Sequence, residues 1–282
     1  MNPQNKMQIP SELKKSCQSL FNLEGRAAIV TGGAGWLGQS ICEALAEMGA
    51  RVAVVDMDAE RLEAYVCSLK DRGFEAVGKC TDAMDEGCIQ KLVDETASEF
   101  QRLDILVNCA HRGCHCILDE VSFETMQKGF ETASAYTVTA KHAAVQMRRQ
   151  GGGSIINVGS MYGSVTGYPA VYEGLFEPNP LNYQACKAAI AQVTRHLAVY
   201  YAKDGIRVNT LSPGPVPNPN AGAYAQDVSK FDEFVRRLES STPMGRVGRP
   251  EEFKGPIAFL ASDASSFVTG QNLLVDGGWT VW

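Results

Sequence analysis

Residues 26–31, Arg-Ala-Ala-Ile-Val-Thr, form a short apolar run that leads directly into the turn Gly32-Gly-Ala-Gly-Trp-Leu-Gly38. A helical pattern follows from Gln39 to Met48 and stops at Gly49. A run of this length suits a buried parallel strand. The glycines let the backbone come close to a bound anion, and the helix start offers unpaired N–H groups at the positive end of its dipole. Strand, glycine turn and helix in this order therefore predict a cradle for a dinucleotide pyrophosphate. It would be built from Gly32, Gly35, Trp36, Leu37 and Gly38, with the Trp36 ring turned away from the phosphates. A glycine-rich turn alone is also compatible with an ordinary loop; the flanking strand and helix favour the cradle.

The next apolar run, Arg51–Val55, ends on Asp56 and Met57. A carboxylate at that point accepts both hydroxyls of an adenosine ribose. It repels a 2′-phosphate by about 1–4 kcal/mol at contact, depending on the local dielectric. Neither Met57 nor Gly33 nor Ala34 supplies a cation to offset that repulsion, so NAD is expected over NADP. A helix N-cap is the plainer role for Asp56, but Asp58 is placed to take it.

The alternation continues along the chain. Strand patterns at Glu75–Cys80 (then Thr81-Asp82-Ala83), Leu103–Asn108, Ser154–Val158 and Ile206–Leu211 alternate with helical ones at Asp85–Phe100, Phe123–Arg149 and Leu181–Ala202. This rhythm predicts an α/β fold, a doubly wound parallel sheet with helices on both faces and ligands beyond the carboxyl ends of the strands. With 282 residues, 45% of them hydrophobic, a single domain over residues 25–282 is expected. Residues 1–24 read as an N-terminal extension with a short helical stretch at Ser11–Leu20. Residues 161–182 read as an inserted active-site loop, and 214–249 as a substrate lid containing a short amphipathic helix, Phe231–Leu238.

The net charge of -6 and pI near 5.3 argue against nucleic acid or an anionic membrane as partner. No apolar run approaches the roughly 20 residues of a membrane span. Met1–Leu20 lacks the apolar core and cleavage site of a secretory signal. Nine scattered cysteines suit free thiols in a reducing compartment. A cytoplasmic protein with a small-molecule substrate is expected.

Leu181-Asn-Tyr-Gln-Ala-Cys-Lys187 opens a long helical pattern and sets Tyr183 and Lys187 four residues apart, on one helix face. A phenol ionises near pH ~10, and an adjacent ammonium lowers that value, each unit being about 1.36 kcal/mol. The pair is thereby fitted to exchange a proton with an alcohol or carbonyl. By itself the spacing also fits a Tyr on an apolar face and a solvated Lys.

Taken together, Thr31–Gly38, Asp56, Asn108-Cys-Ala110, Ser160, Tyr183-x-x-x-Lys187 and Ser212-Pro-Gly-Pro-Val216 resemble the short-chain dehydrogenase/reductase family in its compact branch. Pro243–Glu252 and Thr269-Gly-Gln…Val275-Asp-Gly-Gly-Trp279 extend the resemblance, which covers residues 21–282. It implies a Rossmann fold and an oxidoreductase moving hydride between NAD and a secondary alcohol or ketone. Tyr183 would be the general acid/base, Lys187 would lower its pKa and hold the nicotinamide ribose, and Ser160 would hydrogen-bond the reacting oxygen. Asp82 and Ala83 would border the adenine, Asn108 and Ala110 would line the cofactor, and Pro213, Gly214 and Val216 would clasp the nicotinamide. A homo-oligomer, dimer or tetramer, is also implied.

Four departures bear on function. Trp36 stands at the middle glycine, giving a Thr-Gly-x-x-Gly-x-x-Gly form commoner in the extended branch of epimerases and dehydratases. The family's helix asparagine is missing, with Thr132 nearest its place and able to hold a relay water. The strand-end motif reads Asn108-Cys-Ala-His111 and runs into His111-Arg-Gly-Cys-His-Cys116, whose spacing fits no usual four-ligand zinc pattern, so no metal is expected. Finally, Tyr162–Asn182 is longer than usual between Ser160 and Tyr183; its aromatics and carboxylates suit either substrate contacts or a solvated loop. Residues 20–32 are similar to sugar-acid members such as gluconate 5-dehydrogenases, and Tyr172-Glu-Gly resembles relatives that modify sugars and glycans. A sugar, sugar acid or other polyhydroxylated substrate is implied. An epimerase or dehydratase that retains its NAD, and a non-catalytic NAD-binding protein, remain alternatives.

Overall fold

The computed structural model describes residues 15–113 and 117–282. In chain order it contains α1 (Cys17–Phe21), β1 (Ala27–Thr31), α2 (Trp36–Glu47), β2 (Arg51–Asp56), α3 (Ala59–Asp71), β3 (Ala76–Cys80), α4 (Glu86–Phe100) and β4 (Ile105–Asn108). Then come α5 (Phe123–Arg149), β5 (Gly153–Val158), α6 (Pro169–Tyr172), α7 (Leu181–Tyr201), β6 (Ile206–Pro213), α8 (Val228–Ser240), α9 (Lys254–Ala261) and β7 (Asn272–Val275).

The strands form one parallel sheet of seven, ordered β3-β2-β1-β4-β5-β6-β7. Alternate side chains point to opposite faces. Ala28, Val30, Val52, Val54 and Val107 therefore pack under α2, α3 and α9, against Ile41, Leu45, Leu69 and Ile257. Ile29, Ala53, Val55, Leu106 and Ile155 pack on the other face, under α4, α5 and α7. This is the doubly wound α/β architecture. The order reverses between β1 and β4, and the two strands splay their following loops apart to open a crevice at their carboxyl ends.

Several elements differ from the sequence reading, β4 among them, which starts at Ile105 and not Leu103. Helix α2 starts at Trp36, not Gln39, because Gly35 is the extended N-cap residue and Gly38 lies inside the helix. Strand β6 continues to Pro213 because its outer edge pairs with β7 as far as Val275. Helix α8 exceeds Phe231–Leu238 at both ends, starting behind Asp227, whose side chain accepts from the Lys230 N–H at 3.1 Å. Of Ser11–Leu20 only the part after residue 14 is described; α1 begins behind the Ser16 N-cap.

The aromatics of the segment 161–182 are packed, whereas its carboxylates, Glu173 and Glu177, stay exposed. Tyr162 and Tyr172 are buried with Val171, Phe234 of α8, Leu238 and Trp279 in a third apolar cluster. Tyr168 stacks on Trp279 at 5.0 Å, and Arg237 of α8 donates to the carbonyls of Ala170 and Glu173. Large aromatic areas gain more by packing here than by hydration. The result is a roof beside the carboxyl ends of β5 and β6.

Candidate active site

The first wall of the crevice is the glycine turn. Gly32 has φ +66, and a side chain there would put Cβ 2.8 Å from the Ala110 backbone. A Cβ on Gly38 would lie 2.0 Å from the Gly32 carbonyl oxygen. No side chain caps α2, so its first backbone amides are left for a ligand or water. The cleft encloses about 440 Å³, and Gly32, Gly35, Trp36, Leu37 and Gly38 line one end of it. Trp36 is two-fifths exposed at its border.

Asp56 and Met57 form the next stretch of wall. Asp58 caps α3, accepting from the Arg61 N–H at 3.0 Å, so Asp56 is free of that task. Asp56 is nearly buried, and its Oδ1 accepts from Arg61 Nη2 at 2.8 Å and from the Asp58 N–H at 3.2 Å. Arg61 lines the cleft as well. The sequence reading, which looked for a cation only at residues 33, 34 and 57, missed it. Beyond lie Asp82 and Ala83; the Met84 N–H and then the Arg112 guanidinium, 2.7 Å away, hold the Asp82 carboxyl below the usual carboxylate range.

The inner end holds Ser160, Tyr183, Lys187, Ala110, Pro213, Gly214 and Val216. Ser160 follows β5, and its Oγ accepts from the Tyr162 N–H at 3.1 Å. Tyr183 and Lys187 face the cleft from the first two turns of α7. Lys187 Nζ donates to the Val158 carbonyl at 2.9 Å and stands 5.7 Å from the Tyr183 ring centre. Burial raises the Tyr183 phenol above its ordinary value, opposed by a hydrogen bond with Ser160. Burial pushes the Lys187 ammonium the other way, below its ordinary value. Desolvation is therefore the largest influence on both groups.

Two predicted residues lie behind the cleft wall. Asn108 is buried, its Nδ2 donating to Asn157 Oδ1 at 2.9 Å and to the Tyr136 carbonyl at 3.3 Å, which ties β4 to β5 and α5. Thr132 is fully buried on α5, where its Oγ1 accepts from the Arg112 N–H at 3.3 Å and meets His111 Nδ1 at 3.2 Å. Its hydroxyl thus serves the loop after β4, with Lys187 held elsewhere. His111 opens onto the cleft, yet enough protein surrounds its ring that burial, then the Lys187 charge, pushes the imidazole down to about 4. Its ring meets Tyr183 edge-on at 5.1 Å.

Among the described residues no group of three or more His, Cys, Asp or Glu side chains could hold a metal ion. Residues 114–116 of the Cys-His motif lie outside them. Nor, among the described residues, is any helix long and apolar enough to cross a membrane.

The family model described as "Enoyl-(Acyl carrier protein) reductase" matches residues 33–280. The cis-4-hydroxycyclohexanecarboxylate dehydrogenase of Sinomonas cyclohexanicum is 37% identical over 257 residues, 90% of this chain and 96% of that protein. The D-threitol dehydrogenase of Mycolicibacterium smegmatis is 34% identical, covering 93% of this chain and 95% of that one. Among solved structures, a gluconate 5-dehydrogenase from Burkholderia cenocepacia in complex with NADP and tartrate has a TM-score of 0.83 at 29% identity, covering 95% of this chain and all of that one. The fold and site define an oxidoreductase of the Rossmann type. The chain belongs to the short-chain dehydrogenase/reductase family.

Proposed function

We propose that this protein catalyses reversible hydride transfer between NAD(H) and a secondary alcohol or ketone on a sugar, sugar acid or other polyhydroxylated substrate. The observation that carries the reading is the convergence of Ser160, Tyr183 and Lys187 at the inner end of one cleft. The wall residues fit a dinucleotide: a glycine cradle that a side chain would fill, an uncapped helix start, and a carboxylate at the end of β2. Bound there, NAD supplies the two-electron acceptor or donor. Ser160 and the Tyr183 hydroxyl orient the substrate oxygen and favour charge developing on it. In oxidation the phenolate of Tyr183 takes the hydroxyl proton; in reduction the phenol returns it to the carbonyl oxygen. The buried Lys187 charge favours the phenolate whenever its own proton is retained.

NAD is favoured because Asp56 leaves one carboxylate oxygen for ribose hydroxyls while opposing a 2′-phosphate. Arg61 weakens that opposition, so the preference is expected to be finite. The relatives act, by their names, on hydroxylated rings and polyols, which supports the substrate class. Exposed Val199 and Tyr200 on α7 and Val145 on α5 support a homo-oligomer, testable by light scattering on the purified chain. A cytoplasmic location is part of the same proposal, and fractionation of the source cells tests it.

The test is NADH production from a panel of polyols, sugars, sugar acids and ring alcohols, with Tyr183→Phe as the control. Turnover by the wild type and its loss in Tyr183→Phe, with NADH still bound, supports the reading. The Thr-Gly-x-x-Gly-x-x-Gly turn with Trp36 favours a second one, an epimerase or dehydratase; tightly held NAD and product without net NADH would favour it. Dinucleotide binding with no turnover, unchanged in Tyr183→Phe, would point to a non-catalytic protein.

A further inference from the structure

Tyr183 stands at the junction of three spaces. Besides the nucleotide cleft, it borders a cavity of about 220 Å³ under the roof and another of about 290 Å³ on the side of the β4 loop. Ser160 lines the first of these side cavities and not the second; His111 lines the second and not the first. His111 and Ser160 therefore open onto different side cavities next to the same phenol. Asn179, from the inserted segment, lines both cavities.

The ring of His111 is held in place. Its edge-on contact with Tyr183 and the 3.2 Å bond from Nδ1 to Thr132 Oγ1 fix its plane. Thr132 is itself anchored by the Arg112 N–H and fully buried. Nε2 has no partner among the described residues. A Cβ on Gly113 would stand 4.0 Å from it, so Gly113 is its neighbour in this cavity.

We propose that the cavity bordered by His111, Gly113, Asn179 and Tyr183 is a substrate subsite for a hydroxyl on the carbon next to the reacting one, read by His111 Nε2. This rests on the oxidoreductase reading above. The oxygen bound by Tyr183 and Ser160 belongs to the reacting carbon; an oxygen on its neighbour, in the side cavity that His111 lines, faces the imidazole. The ring is neutral at ordinary pH because burial pushes it down to about 4. In either neutral tautomer Nε2 offers one donor or one acceptor, and a hydroxyl answers both. Thr132, in the place where the family resemblance expects an asparagine, then acts as a positioning residue for His111. The preferred substrates are vicinal diols in oxidation and α-hydroxy ketones in reduction.

The experiment compares sec-butanol with 2,3-butanediol as substrates of the full chain, with NAD and with NADP. The wild type is expected to favour the diol by about tenfold in kcat/KM, the loss typical of one unmade neutral hydrogen bond. His111→Ala should bring that ratio close to unity while NADH still binds, and His111→Gln should restore part of it. Thr132→Val should raise KM for the diol more than for the mono-alcohol. An unchanged ratio in His111→Ala that still binds NADH overturns the subsite. Were His111→Ala too unstable to bind NADH, an unchanged ratio in both His111→Gln and Thr132→Val would overturn it equally. No turnover by the wild type across the whole panel above, or full activity in Tyr183→Phe, defeats the underlying oxidoreductase reading and the subsite with it.

Discussion

Replacing Asp56 separates charge from hydrogen bonding at the end of β2. Asp56→Asn keeps the shape and an acceptor but removes the charge; Asp56→Ala removes both. A 2′-phosphate brought to contact with the carboxylate meets about 1 kcal/mol of repulsion in water and about 4 kcal/mol at an effective dielectric near 20. Asp56 is only 6% exposed, which places it toward the upper end. Its loss also frees Arg61, whose Nη2 now lies 2.8 Å from Oδ1. The guanidinium is nearly half exposed, so solvent screening limits its new pairing with the phosphate to about 0.2–1 kcal/mol. Asp56→Asn should therefore move the NAD/NADP ratio of kcat/KM toward NADP by about 10- to 5,000-fold. Asp56→Ala adds the lost bonds to the ribose hydroxyls, about 1.5–3 kcal/mol against NAD, and should shift it further. Initial rates with each dinucleotide at low and high salt give the ratio directly. A change under threefold in both variants, or a wild type that prefers NADP, would refute the electrostatic reasoning.

Tyr183→Phe should reduce kcat by about 10²–10⁴-fold, the range for a lost acid–base group, while NADH fluorescence titration shows binding retained. Because burial holds the Tyr183 phenol above its ordinary value, the phenolate fraction grows as pH rises, so alcohol oxidation should accelerate toward alkaline pH and ketone reduction should slow. Stopped-flow rates across pH check the sign; oxidation that falls as pH rises contradicts it. Gly38→Ala places a methyl 2.0 Å from the Gly32 carbonyl oxygen, so the start of α2 must shift. Weaker NADH binding and a lower melting temperature are expected, and neither effect should follow Gly255→Ala on α9, where an added Cβ meets nothing within 4 Å.

The sheet and cleft were legible because their signals are local. Strand and helix periods, the glycine turn and the Tyr183–Lys187 spacing each depend on a few neighbouring residues. Thus β1, β2 and α5 fall within a residue of the sequence reading, and Asp56, Ser160, Tyr183 and Lys187 all reach one cleft. What the sequence hid depends on contacts across the fold. Arg61 reaches Asp56 only because the β2–α3 turn folds the first helical turn back over the strand end. The Thr132–His111 contact joins α5 to the loop after β4, 21 residues apart. On sequence alone the aromatics of 161–182 suit substrate contacts or a solvated loop equally well; Phe234 and Trp279, much later in the chain, pack them into a cluster. The raised Tyr183 phenol follows from burial, which no spacing reveals.

The roof has a consequence for engineering. Its halves, residues 161–182 and α8, are joined by the Phe234–Tyr172 contact and the Arg237 bonds to two carbonyls. A graft that imports only one half from a homologue would strand these aromatic surfaces against mismatched neighbours. Swaps intended to change substrate preference should exchange both segments together, as a single cassette.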